Sequence, residues 1–127
     1  MSFGYALKKF REERGLSLRE FGKLCGIDHA YVHRLEKAEK TAPSEDVLES
    51  FVRTLKLNPR RASLLRMLVG KQINENLVEV FIEDEDRPLE LIEPLAQMSF
   101  RGKRPETLED WRKQADRLSV FLAEDDD

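Results

Sequence analysis

Apolar residues recur three and four positions apart along almost the whole chain, the spacing of one buried face on an α-helix. Phe3, Leu7 and Phe10 make the first such stripe, which ends near Gly15, a residue suited to a helix C-cap. Ser17 precedes Leu18, and Glu20 stands three residues after it, the capping-box spacing that starts a second helix; Gly26 breaks that helix just after Cys25. Asp28 is placed to cap a third helix over residues 29–38, with Val32 and Leu35 inward. After the polar loop "KAEKTA", Pro43 and Ser44 open a fourth helix with Val47, Leu48, Phe51, Val52 and Leu55 facing in. Asn58 and Pro59 open a fifth, with Ala62, Leu65 and Leu68 as its stripe and Gly70 as its end.

Beyond Gly70 the helical rhythm continues with different punctuation. Ile73, Leu77, Val80 and Phe81 predict one helix, closed by the acidic "EDED" of residues 83–86. Leu89, Ile92, Leu95 and Ala96 predict another, with Pro94 interrupting its middle. The stretch "SFRGKRP", residues 99–105, holds two helix breakers and three cations. Leu108, Trp111, Ala115, Leu118 and Leu122 then mark a long last helix. Strand-like alternation never runs beyond a few residues, so the expected fold is all-α, in two parts: residues 1–70 and 71–127. The second part has few apolar residues for a separate core. Burial against a second copy is the natural remedy, with Leu108, Trp111, Ala115, Leu118 and Leu122 as the expected dimerisation face.

Composition narrows the function classes. Of 127 residues 37% are charged and the mean hydropathy is -0.57, and no apolar run approaches the ~20 residues of a membrane span. "MSFGYALKKF" lacks the apolar block of a signal peptide, so a cytoplasmic protein with no membrane partner is expected. Cys25 is the single cysteine, which excludes an internal disulfide and a Cys-rich metal site. Residues 1–70 carry 14 Lys/Arg against 9 Asp/Glu, whereas residues 71–127 carry 8 against 16. The first part can attract a polyanion that the second repels. No nucleophile and base, phosphate-cradling glycine loop or metal set stands out, so no enzyme, catalytic residue, cofactor or metal site is expected. His29 and His33 have the spacing of a metal-binding pair, but no third ligand lies near them in sequence, and DNA contact or plain surface is the reading.

The segment "LREFGKLCGIDHAYVHRLEK", Leu18 to Lys37, carries the chemistry. A helix-turn-helix needs a small residue where its helices approach, which Gly22 supplies, and a turn residue free to take positive φ, which Gly26 supplies. Phe21, Cys25, Ile27, Val32 and Leu35 fall at the apolar contact positions.

From "LKKFREERGLSLREFGKLCGI" to "PSEDVLESFVRTLKL" the first part resembles the Cro/C1-type (XRE) phage repressor family. The resemblance implies a five-helix lambda-repressor-like domain that binds a double-stranded DNA operator, with the third helix reading the major groove. It places His29, Ala30, Tyr31, His33, Arg34 and Lys37 at the DNA, Arg34 and His33 being suited to base edges and Ala30 to a thymine methyl. Lys23, Lys37 and Lys40 are the expected phosphate clamps. Two departures stand out: Leu18 occupies a place where many members carry a DNA-contacting Gln, and the loop at "EKAEKTAPS" has Ala38 where Gly is common. Arg11 and Glu36 match a structural ion pair of such domains.

"SFRGKRPETLEDWRKQADRLSVFL" resembles the C-terminal region of the DdrO-type radiation-response repressors. That resemblance implies a helical homodimer inactivated when a partner metallopeptidase of the ImmA/IrrE type cuts the C-terminal region, with Phe100 and Arg101 flanking the cleavage candidate and Arg101, Lys103 and Arg104 as docking charges. Alternatively, those cations pair with the acids of their own half, "EDED" included. The expected function is a dimeric transcriptional repressor with recognition helices about 34 Å apart on a near-palindrome. The competing expectation is an antitoxin whose acidic half neutralises a toxin and whose DNA binding regulates its own operon.

Overall fold

Eight α-helices and one 3-10 turn account for the regular structure of residues 2–37, 42–98 and 102–125, which the computed structural model describes. They are α1 (Ser2–Glu13), α2 (Leu18–Cys25), α3 (His29–Glu36), α4 (Glu45–Leu55), α5 (Pro59–Leu68), α6 (Glu75–Glu83), the 3-10 turn Leu89–Leu91, α7 (Ile92–Gln97) and α8 (Leu108–Asp125). No strand occurs among the described residues, so the fold is all-α. The chain packs as two units, Met1–Gln72 and Ile73–Asp127.

In the first unit, side chains outside the helices satisfy the amide groups that a helix start leaves without partners. Ser17 Oγ accepts from the Glu20 amide at 3.1 Å while Glu20 Oε1 accepts from the Ser17 amide at 3.0 Å, a complete capping box. Asp28, Ser44 and Asn58 cap α3, α4 and α5 in the same way, accepting from Ala30, Val47 and Arg61. The apolar stripes meet inside: Phe3, Leu7, Phe10, Phe21, Val32, Leu35, Leu48, Phe51, Leu55 and Leu65 are all buried. Phe21 and Phe51 lie with ring centroids 5.3 Å apart, joining α2 to α4. The third helix runs to Glu36 with Lys37 as its C-cap, the Lys37 amide donating to His33 O at 3.0 Å, and Ala38, the last residue of the expected span, lies outside the described residues.

Two features of this unit have no strong signal in the pattern. A Cβ at Gly4 would stand 2.5 Å from the Glu36 carbonyl oxygen and 2.6 Å from that of Leu35, so α1 crosses the end of α3 at a distance only glycine permits. Cys25, expected as an apolar contact, is half-buried, with Sγ 3.4 Å from Thr54 Oγ1. Ser50 Oγ donates to the Cys25 carbonyl at 3.1 Å, so this joint between α2 and α4 is polar.

The second unit has a core of its own. Leu77, Val78, Val80, Phe81 and Ile82 bury almost the whole circumference of α6, which packs against α7 and α8. Pro94 does not interrupt α7, because the helix begins at Ile92 and the proline falls in the first turn, where an amide hydrogen has no acceptor within the helix. Trp111 and Ala115 are buried in this core, so they hold the unit together and leave no surface for a partner. Leu108 and Leu118 are half-buried, and Leu122 continues the stripe as an exposed residue.

Two acids of "EDED", Glu83 and Asp84, pair with cations of α8 and of the turn before α7. Arg112 pairs with Glu83 and with Glu109, each at 2.7 Å, and Arg87 pairs with Asp84 at 3.0 Å and Asp116 at 2.8 Å. Lys103 lies 3.7 Å from Glu106, and the Arg104 guanidinium sits over the Trp111 ring while reaching the Ala96 carbonyl at 3.4 Å.

At the start of α8 the Asp110 carboxylate accepts from the Glu106 and Thr107 amides, both at 3.2 Å. The Thr107 bond foremost, then that from Glu106, holds its pKa below the ordinary Asp value. A carboxyl whose folded pKa is depressed stabilises above its unfolded value, and that contribution is lost as pH falls through the folded one. Stability of the wild type should therefore drop on acidification, and Asp110→Asn should show a smaller drop, read from urea midpoints across an acid series.

Candidate DNA-binding surface

Two short helices, a tight turn and one ion pair position the surface. A Cβ on Gly22 would lie 2.6 Å from the Ile27 carbonyl oxygen and 3.1 Å from the His29 amide nitrogen, so α2 touches the start of α3 through bare backbone. Gly26 ends α2 at φ 71° and ψ 31°, the left-handed region. Its amide donates to Lys23 O at 3.3 Å and the Ile27 amide to Gly22 O at 2.8 Å, a Schellman closure that turns the chain into α3.

The inner face of α3 is held by Val32, Leu35 and Glu36. Arg11 clamps the Glu36 carboxylate with Nε to Oε2 at 2.7 Å and Nη2 to Oε1 at 3.0 Å, while its Nη1 donates to Leu16 O at 2.7 Å. Side-chain exposure is 9% for Arg11 and 3% for Glu36, so the pair is a buried hinge pin joining α1, the α1–α2 turn and α3. The bond to Glu36 raises the Arg11 pKa above its ordinary value, against the opposing effect of burial.

The outer face of α3 presents what the sequence proposes for DNA. His33 and Lys37 are exposed, and Ala30 and Arg34 are half-buried between them. His29, exposed, and Tyr31, half-buried, flank this face. Arg34 Nε is buried with no hydrogen-bond partner among the described residues, a guanidinium nitrogen with unused donor capacity beside the surface. His29 Nδ1 lies 3.8 Å from Asp28 Oδ1, too far for a hydrogen bond, while Asp28 is held by the Ala30 amide. Lys23 is exposed on α2. Lys40 and the loop around Ala38 lie outside the described residues, as do Phe100 and Arg101. Among the described residues no group of three His, Cys, Asp or Glu side chains converges as a metal site, and no helix is long and apolar enough to cross a membrane.

A short helix locked by its inner face, with cations and imidazoles outward and a glycine-pinned helix behind it, is the architecture of a helix-turn-helix DNA-binding domain. Residues 2–65, half of the chain, match the helix-turn-helix domain family, and the chain belongs to that family. No curated protein sequence matches it.

Proposed function

We propose that the protein is a sequence-specific transcriptional repressor that binds its operator as a dimer, with α3 in the major groove. The observation that carries this reading is the outer face of α3, where Ala30, His33, Arg34 and Lys37 lie together and Arg34 retains an unpartnered donor. A bidentate Arg–guanine contact discriminates by about 1–3 kcal/mol, while Lys23 and Lys37 contribute attraction to any phosphate backbone. The net positive first unit supports that attraction, and the net negative second unit supports a separate role as dimerisation and regulatory domain.

Anisotropy titrations of DNA from upstream of its own gene, against a scrambled duplex at two salt concentrations, test the reading. The wild type should prefer its own DNA. Arg34→Ala should lose about 10- to 100-fold of that preference with little change in salt slope. Lys23→Ala should weaken both duplexes alike and flatten the slope by about one counterion. Equal and strongly salt-dependent binding to both duplexes would sink the repressor reading.

The resemblance around residues 99–105 further supports derepression by a metallopeptidase of the ImmA/IrrE type cutting between Phe100 and Arg101. Losing the dimer removes the effective-concentration gain of two linked half-sites, so one cut releases the operator. Incubation with such a peptidase should yield a fragment beginning at Arg101, and an intact chain would defeat this part.

A further inference from the structure

The cations of the second unit fall into two groups. Arg87 and Arg112 each hold two carboxylates, Asp84 with Asp116 and Glu83 with Glu109. The other described ones, Lys103, Arg104, Lys113 and Arg117, wall a single cleft of about 210 Å³ between the segment before α8 and the outer side of that helix. Lys113 and Arg117 stand one helical turn apart and have no ion pair among the described residues, although acids outnumber cations two to one in this half of the chain. Lys103 has a distant carboxylate, Glu106 at 3.7 Å, and Arg104 lies over the Trp111 ring. Asp110 is the one acid among the described residues lining the cleft, and its carboxylate is committed to the Glu106 and Thr107 amides. Gln114 adds a neutral amide donor to the wall. Four positive charges around one recess repel each other, and an anion lying between them relieves that repulsion.

We propose that this cleft binds the di- or triphosphate group of a small molecule. Its volume equals that of about seven liquid waters, so a single phosphate leaves much of it to solvent and a chain of two or three fills it. Two guanidinium forks and two ammonium groups match the many oxygens and the multiple charge of such a chain, and exceed what a lone carboxylate can use. Duplex DNA fits the surroundings less well. Glu106, Glu109 and Asp116 are exposed close by in sequence, so a long polyanion would bring its further phosphates against acids, whereas a small anion meets the cleft alone. Arg117 also borders an open groove with Val120 and Phe121, which are 58% and 59% exposed. The chain of phosphates can be inorganic or belong to a nucleotide, whose base would then reach Phe121, four residues and about 6 Å along α8 from Arg117. The inference concerns the second unit alone and holds whether or not the first unit acts as a repressor.

Trp111 is the single tryptophan of the chain and its ring touches Arg104, so its emission reports on this unit. The full-length chain is titrated with inorganic phosphate, diphosphate and triphosphate and with ATP, followed by calorimetry and by Trp111 emission at low and high salt. Triphosphate should bind saturably, at least tenfold more tightly than phosphate, and high salt should weaken it. Lys113→Glu and Arg117→Glu should each cost at least tenfold. Both side chains are exposed, so helical circular dichroism and thermal midpoint should stay at the wild-type values. Lys8→Glu makes the same charge change at an exposed site of the first unit and should leave the affinity as it is. ATP binding tighter than triphosphate, with the excess lost in Phe121→Ser, would identify a nucleotide; equal affinities would identify an inorganic chain. Absence of both heat and emission change with triphosphate would overturn the proposal, as would heat that survives both cleft reversals or falls equally in Lys8→Glu. A short scrambled duplex that displaces triphosphate from the wild type and changes Trp111 emission in the same way would overturn it in favour of a DNA contact.

Discussion

Replacing Glu36 by Ala should cost the N-terminal unit about 3–5 kcal/mol, because it leaves the Arg11 guanidinium buried without its carboxylate. The charge has no escape by titration. The Glu36 bond raises the Arg11 pKa in the wild type, and even without it a guanidinium stays protonated across the accessible pH range. The loss is large against the roughly 5–15 kcal/mol that keeps a domain folded. Urea unfolding should show a lower midpoint at a similar slope. Removing both partners together, as Arg11→Met/Glu36→Leu, should cost less than Glu36→Ala alone, since the penalty lies mainly in the orphaned charge. A Glu36→Ala midpoint within error of the wild type would show that water reaches Arg11 and that the pair is not a closed pin. Because the pair anchors the last turn of α3, operator affinity should fall in the same variant even at temperatures where it remains folded.

Gly22→Ala should be the most damaging single-methyl change in the helix-turn-helix. The added carbon would stand 2.6 Å from the Ile27 carbonyl, nearer than real contacts allow, and the obstacle is backbone. Relief requires α2 and α3 to separate, which overpacking costs place at about 1–3 kcal/mol, with further loss of DNA binding as the recognition helix is displaced. Gly26→Ala provides the contrast. Space around that Cβ is open, so its cost comes only from positive φ, about 1 kcal/mol, and α3 keeps its position. Urea midpoints and operator anisotropy on the two variants separate the effects: Gly22→Ala should lose affinity out of proportion to its stability, and Gly26→Ala should not. Equal behaviour of the two would mean that close helix approach does not govern the reading geometry.

Much of the fold is legible in the chain because its determinants are local. The capping box at Ser17 and Glu20, the caps at Asp28, Ser44 and Asn58, and the left-handed turn at Gly26 each depend on residues within a few positions of one another. The helix-turn-helix is legible for the same reason, since both of its helices and its turn fit in twenty consecutive residues. Pro94 marks the limit of such reading. Its effect depends on whether it falls in the first turn or the middle of α7, and that boundary is set by how Leu91, Ile92 and Leu95 pack.

By itself the sequence determined the helices, their order, the turn between α2 and α3 and which side chains of α3 are polar, because periodicity and capping act along the chain. Tertiary structure alone decided that Gly4 sits against the end of α3, that the Cys25 thiol meets Thr54, and that Arg34 keeps an unused donor. It likewise decided that Trp111 and Ala115 serve the core of their own unit while Val120 and Phe121 remain uncovered. An apolar stripe states that a face is to be buried. What lies across from it is fixed only by residues distant in sequence, and close approach between backbones leaves no mark in composition at all.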